Sequence, residues 1–314
     1  MLVDGKWTEG FRPSRDEEGG RFVRRASIFR NWITPDGQPG QSGDGGFAAE
    51  AGRYHLYVSL NCPWACRTLM VRKLKHLDEA ISVSVVEPAT TPQGWQFSAR
   101  LGDELYGADY LHQIYTRADP HYTGRVTVPV LWDKQRQTIV NNESSEIIRM
   151  LNSAFARIAD SSIDLYPKSL AVEIDAINED VYARLNNGVY RAGFATKQEA
   201  YEEAFRDVFG MLDELEKRLA NRNYLIGEKL TEADVRLFVT LIRFDAAYHG
   251  LFKCNLRRIA DYPNLAAYTR RILELPGIAE TVSIDHIKRG YYSLRPVNPS
   301  GIVPLGPDLS YLAL

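Results

Sequence analysis

At 314 residues, with 45% hydrophobic and 25% charged residues, the chain can bury a substantial core and is long enough for two globular domains. Lys and Arg number 38 against 40 Asp and Glu, a formal charge of −2, which argues against a surface dedicated to nucleic acid or anionic membrane and points to a small partner. Three cysteines cannot build a disulfide framework, the polar first 20 residues are unlike a signal peptide, and no apolar run approaches ~20 residues, so the expectation is a reducing cytosol where a reactive thiol survives.

Residues 1–50 hold scattered aromatic and basic positions (Trp7, Phe11, Arg24, Arg25, Trp32), then Pro35-Asp36-Gly37-Gln38-Pro39-Gly40 and more glycine to Gly46. The stretch is expected to be a loop-rich arm with a flexible connection. With no strand before its glycines and no Gly-Lys-Ser/Thr after them, it is not read as a phosphate cradle. Residues 54–60 alternate like a strand, 69–77 have a helical pattern and 81–86 are β-branched, which together make a βαβ unit. The insertion 89–124 exceeds ordinary loop lengths and carries Trp95, Phe97, Tyr106, Tyr110, Tyr115 and Tyr122; such a segment is functional or holds structure of its own.

Residues 126–132 and 138–140 read as further strands, followed by a helix from near Ser144 with Ile147, Ile148, Met150 and Leu151 on its apolar side. Val128-Pro129 inside a strand pattern requires an edge, a bulge or a cis turn. Residues 158–168, with Asp160-Ser161-Ser162, read as a linker, after which strand patterns vanish. Helical periodicities cover 172–185, 197–219, 233–248 and 265–273, and Thr231-Glu232-Ala233-Asp234 resembles a capping box. Gly290-Tyr291-Tyr292 and a proline-rich tail through Pro307 close the chain. The fold expected is therefore an α/β half followed by an all-α half.

Asn61-Cys62-Pro63-Trp64-Ala65-Cys66-Arg67 stands where the first strand gives way to the first helix. Pro63 suits the first helical turn, so Cys62 is expected at or just before the cap, its sulfur near the positive end of the helix dipole, an environment that favours thiolate. The fourth motif position is Ala65, so a mixed disulfide at Cys62 lacks the resolving neighbour of a Cys-x-x-Cys oxidoreductase, and an external thiol must finish the reaction. Cys66 and Cys254 are read as buried small hydrophobes. The six histidines show no metal-ligand spacing, and no metal site is expected. Asn142-Glu143-Ser144 matches a glycosylation sequon, read as incidental.

A βαβ-ββα half with a cysteine at the first helix, Val-Pro before the third strand and Glu143-Ser144 opening the next helix resembles the thioredoxin-like, glutathione-binding domain of glutathione transferases; the helical half fits the same fold. Asn61-Cys62-Pro63-Trp64-Ala65, Trp95, the run from Arg125 to Asp133, that from Asn142 to Met150, and Arg289-Gly290-Tyr291-Tyr292 are together similar to the Xi-class enzymes, the glutathionyl-hydroquinone reductases. Cys-Pro-x-x by itself is shared with glutaredoxins and omega-class transferases; the blocks in this order are specific. The resemblance runs from about residue 30 to the tail, and the expected organisation is a loop-rich arm over 1–50, a thioredoxin-like glutathione-binding domain over 51–157, an all-helical domain over 169–290 and a tail over 291–314.

The resemblance implies that Cys62 attacks the sulfur of a glutathionyl-hydroquinone, that hydroquinone leaves, and that a second glutathione resolves the mixed disulfide. Trp95, Arg125 and Val128 would hold glutathione, Glu143 and Ser144 its γ-glutamyl end, and Tyr190, Tyr248 and Tyr291 the hydroquinone. Glutathione is then a co-substrate with no tightly bound cofactor, and the protein a homodimer. Two other functions compete on the same fold: an omega-like thiol transferase or dehydroascorbate reductase, and a non-enzymatic binding module.

Overall fold

The computed structural model describes residues 1–9, 19–98, 100–159 and 162–313; Phe11 of the arm and Asp160-Ser161 of the linker lie outside them. The chain forms two compact units, one built around Ala26–Asp164 with the start of the chain and Thr281–His286, the other around Leu165–Glu280 and Ile287–Leu314 with residues 19–25. Among the described residues no helix is long and apolar enough to cross a membrane.

The first unit opens with a hairpin, β1 (Leu2–Val3) and β2 (Lys6–Trp7), and a short parallel pair, β3 (Trp32–Thr34) and β4 (Gly46–Ala48), which encloses the glycine-rich run. The arm is thus more ordered than its composition suggests. A βαβ unit follows: β5 (Tyr54–Val58), α1 (Pro63–Leu74) and β6 (Ile81–Val85). The insertion contains α2 (Leu111–Ala118); then come β7 (Val130–Asp133), β8 (Thr138–Asn141) and α3 (Ser144–Ser153). The sheet order is β6-β5-β7-β8, with β5 parallel to β6 and the other pairs antiparallel. Every residue of β5 and β7 is buried, as central strands covered on both faces require. His55 within β5 is buried; desolvation pushes its imidazole down to about 4, and its Nδ1 lies 2.7 Å from Ser82 Oγ on β6.

The expected strand over 126–132 begins only at Val130, because Pro129 has no N–H to give to a ladder. The register places several chain segments at one end of the sheet. Tyr57 near the end of β5 faces Val130 at the start of β7, Leu131 faces Asn141 at the end of β8, and Val58 faces Val85 at the end of β6. The segments leaving β5, β6 and β8 and the one entering β7 therefore all emerge along the same edge, the usual place for a site in an α/β sheet.

In the second unit α4 (Ala171–Val181) runs into a π-helical turn (Tyr182–Asn186), then α5 (Gly188–Gly193) and the long α6 (Gln198–Arg218). Next, α7 (Glu232–Arg243) continues through a second π-helical turn (Phe244–Tyr248) into α8 (His249–Leu251), followed by α9 (Pro263–Leu273) and α10 (Ile284–Tyr292). The periodicities over 172–185 and 233–248 thus each contain a register change. Nearly every residue of α7 is buried, which makes it the bundle's central helix. Its capping box is present: Asp234 Oδ2 accepts from Thr231 N at 2.8 Å, while Oδ1 accepts from Leu225 N at 2.8 Å and Tyr268 OH at 2.9 Å.

Candidate active site

Cys62 is the N-cap residue of α1, with extended backbone (φ −78°, ψ 121°) and Pro63 at the first helical position. It is half-buried, whereas Cys66 and Cys254 are fully buried, and burial pushes the Cys254 thiol up to about 12, which removes it as a nucleophile at neutral pH. The turn before Cys62 is pinned by Ser59 Oγ donating to Asn61 Oδ1 at 2.5 Å and Asn61 Nδ2 donating to Pro88 O at 3.2 Å. Across the sheet edge, Cys62 Sγ lies 3.6 Å from the carbonyl oxygen of Val128, and the Val128-Pro129 peptide is cis.

Glu143 is the N-cap of α3. Its Oε1 accepts from Ser145 N (3.2 Å) and Ser145 Oγ (3.0 Å), and its Oε2 from Ser27 Oγ (3.1 Å). Ser144, the first residue of the helix, is buried, and its Oγ accepts from Arg67 Nη1 at 3.4 Å; the same guanidinium lies 4.5 Å from the Trp64 ring. Arg67 thus ties the Cys62 helix to the opening of α3. Sequence reasoning missed it, because Arg67 is one of several basic residues in this helix and only its contacts set it apart.

Trp95 lies near the start of the insertion and Arg125 directly follows its end. The Arg125 carbonyl accepts from Tyr122 OH at 2.9 Å, and the Trp95 carbonyl from Leu111 N at 2.9 Å. Tyr115 of α2, fully buried, holds the neighbouring segments. Its hydroxyl donates to Thr127 O (2.8 Å) and accepts from Thr127 N (3.2 Å) and Asn142 Nδ2 (3.2 Å), so one phenol joins the approach to Val128 with the approach to Glu143. Only its aromatic character in the insertion was visible in the sequence.

The second unit brings Tyr190, Tyr248 and Tyr291 together. Tyr190 OH is 2.6 Å from Tyr291 OH, and Tyr248 OH is 2.8 Å from it. Tyr248 and Tyr291 are buried, and desolvation holds both hydroxyls well above the ordinary tyrosine range, so they are neutral phenols. Tyr248 ends one π-helical turn and Tyr190 follows the other; such bulges re-aim side chains at functional sites. The Phe252 ring stacks on Tyr248 at 5.5 Å and an interplanar angle of 19°; a Cβ at Gly193 would meet that ring at 2.2 Å, so only glycine admits it. Arg24 lies 4.8 Å from the Tyr190 ring and donates to Asn187 Oδ1 at 2.9 Å.

A mixed four-stranded sheet with a Cys-Pro helix start facing a Val-Pro turn, followed in the same chain by a helical unit, defines a glutathione transferase fold. The chain matches the family models described as glutathione S-transferase N-terminal domain over residues 61–154 and C-terminal domain over 198–271. It is 54% identical over 312 residues to glutathionyl-hydroquinone reductase YqjG of Escherichia coli (98% of this chain, 95% of that protein) and 53% identical over 311 residues to glutathionyl-hydroquinone reductase PcpF of Sphingobium chlorophenolicum (98% and 96%). The glutathione-bound structure of YqjG superposes with a TM-score of 0.91 (51% identity, 99% of this chain and 96% of that one), and glutathione transferase Xi of Phanerochaete chrysosporium with 0.88 (49%, 94% and 95%). The chain belongs to the glutathione S-transferase family, in its Xi class.

Proposed function

We propose that the protein reduces glutathionyl-hydroquinones to hydroquinones with glutathione as co-substrate. The observation that carries this reading is Cys62 at the start of α1, opposite the Val128 carbonyl, with Ala65 where a resolving cysteine would stand. A thiolate there faces the positive end of a helix. It attacks the sulfur of the conjugate: the Cys62–sulfur bond forms, the sulfur–carbon bond to the ring breaks, and the ring carbon takes a proton as hydroquinone leaves. The thiolate of a second glutathione then attacks the mixed disulfide, giving oxidised glutathione and returning the Cys62 thiolate.

The glutathionyl group fits the sheet edge by its dimensions. From the segment after β5, which carries Cys62, to the segment after β8, which carries Glu143, is two strand spacings, or about 10 Å, the reach of an extended tripeptide. Three hydrogen bonds occupy the Glu143 carboxylate, which has about four acceptor positions, and the remaining one suits the γ-glutamyl ammonium. Ser144 at the helix start offers a backbone N–H to the γ-glutamyl carboxylate; Arg125 supplies a cation for the other carboxylate, Trp95 an aromatic face and Val128 its backbone. For the quinol, Tyr190, Tyr248 and Tyr291 offer an aromatic surface whose hydroxyls are linked through Tyr291.

We also infer a cytoplasmic homodimer. The aromatic insertion gives the dimer less support than its composition suggests, because Phe97, Tyr115 and Tyr122 are buried within the unit. The tail supports it, with Ile302 71% and Leu305 fully exposed.

Parallel assays on a glutathionyl-hydroquinone and on a small aliphatic glutathione disulfide test the reading. Each of Tyr190→Phe, Tyr248→Phe and Tyr291→Phe is expected to slow the aromatic substrate about fivefold, one hydrogen bond's worth, and the aliphatic one less. Equal losses on the two substrates, or faster wild-type turnover of the aliphatic one, would mean a general thiol transferase.

A further inference from the structure

The hairpin at the start of the chain plays no part in the chemistry above, yet it touches the insertion in three places. It turns at Asp4 (φ 47°) and Gly5 (φ 71°), two left-handed residues in succession, the geometry of a tight primed turn. Leu2, fully buried, exchanges two backbone hydrogen bonds with Gly124 (2.9 and 3.0 Å), and Gly5 N donates to Tyr122 O at 3.1 Å. A Cβ at Gly5 would lie 1.9 Å from the Pro120 carbonyl oxygen, so the turn must carry glycine to come this close. These contacts border Arg125, whose carbonyl is held by Tyr122.

Trp7 reaches the other flank. Its Nε1 donates to Pro92 O at 2.8 Å, and its ring lies where a Cβ at Gly94 would meet it at 2.7 Å, one residue before Trp95. The same ring stacks on His112 of α2 (4.9 Å, 20°), and His112 in turn stacks on Tyr110 (5.4 Å, 6°) beside Leu111, whose N–H binds the Trp95 carbonyl. A six-residue hairpin, Leu2 to Trp7, thus grips the beginning, the helix and the end of the insertion, next to Trp95 and Arg125.

We infer that the hairpin is a clasp for the glutathione site: Trp7 is a positioning residue that holds Trp95 in place without touching ligand, while Leu2 and Gly5 steady the approach to Arg125. This rests on the reading that Trp95 and Arg125 contact glutathione. Loops tens of residues long lose ligand contacts through small displacements of their flanks, so a clasp across both flanks sets affinity more than it sets the rate at saturation.

The test uses the full chain, calorimetric titration with reduced glutathione, steady-state kinetics and thermal melting. Trp7→Ala is expected to weaken glutathione about tenfold, or about 1.4 kcal/mol, to raise KM for the conjugate in step, and to move kcat less than about twofold. Trp7→Phe keeps a ring over His112 and should recover most of the affinity. His112→Leu, which removes the stack from the other side, should repeat the loss if Trp7→Ala does not fold. A Trp7→Ala or His112→Leu protein that melts lower but binds glutathione as wild type does at assay temperature overturns the clasp while leaving the site intact. Arg125→Ala is the control for the underlying reading: unchanged glutathione affinity in that variant removes Arg125 from the site itself, an outcome distinct from failure of the clasp.

Discussion

Removing one oxygen atom, in Tyr115→Phe, should loosen the glutathione site while leaving its ring packing in place. The hydroxyl makes three hydrogen bonds, to Thr127 O, Thr127 N and Asn142 Nδ2, while the ring meets Phe29 edge-on at 5.9 Å and Tyr122 at 5.2 Å. Phenylalanine keeps the ring contacts and strands all three polar partners. Each buried group left unsatisfied costs about 1–3 kcal/mol. Thr127 is only half-buried, so its groups recover water, whereas Asn142 is 7% exposed and its Oδ1 has no partner among the described residues. The net loss is therefore about 2–3 kcal/mol, nearer the cost of one stranded group than of three. At about 2–4 °C per kcal/mol that lowers the melting temperature by roughly 4–12 °C. Urea unfolding measures the stability, and calorimetry measures glutathione affinity, which should fall because the segments leading to Val128 and Glu143 lose their common tether. A variant with wild-type stability and wild-type affinity would refute the argument that Tyr115 joins the two segments.

Acid pH should loosen the packing of α3 against β3. Burial favours the neutral form of Glu146, but hydrogen bonds from Arg30, Asn141 and Ser42 and the charge of Arg30 outweigh it and hold the carboxyl below its ordinary 4.5. A carboxylate with a depressed folded pKa stabilises above its unfolded pKa, and that contribution is lost as pH falls through the folded value. Urea midpoints at about pH 7 and about pH 4 should therefore converge in Glu146→Gln relative to wild type; an unchanged difference would exclude Glu146 from the acid transition. The homodimer is checked by sedimentation, with a dimer mass expected across the concentration range and a concentration-independent monomer mass contradicting it.

The parts of this chain with strong local chemistry are legible in its sequence. Pro63 after Cys62 announced a helix start, the β-branched runs fixed the βαβ order, and Thr231 with Asp234 marked the head of α7. What escaped reading depended on tertiary contact or on very short elements. Asp4-Gly5 is a strong hairpin signal, but its strands are two residues each, too short to show alternation, so the segment passed for loop. The two π-helical turns leave the apolar periodicity of their helices intact on either side, and only the backbone reveals that Tyr248 has been re-aimed. Val126 and Thr127 have strand-forming side chains, yet Pro129 ends the ladder before reaching them. Arg67 and Tyr115 belong to the candidate site because of what they touch across 77 and 27 residues of sequence, to Ser144 and Asn142. No local pattern encodes those separations.

The central claim is that Cys62 carries the glutathionyl group as a mixed disulfide, and mass spectrometry of the intact protein after one addition of glutathionyl-hydroquinone, without added glutathione, tests it most directly. The account predicts a gain of one glutathionyl group, mapped by peptide analysis to Cys62, reversed by glutathione with release of oxidised glutathione, absent from Cys62→Ser, and retained by Cys66→Ala and Cys254→Ala. Hydroquinone released at a wild-type rate by Cys62→Ser, or an adduct on another cysteine, would contradict it.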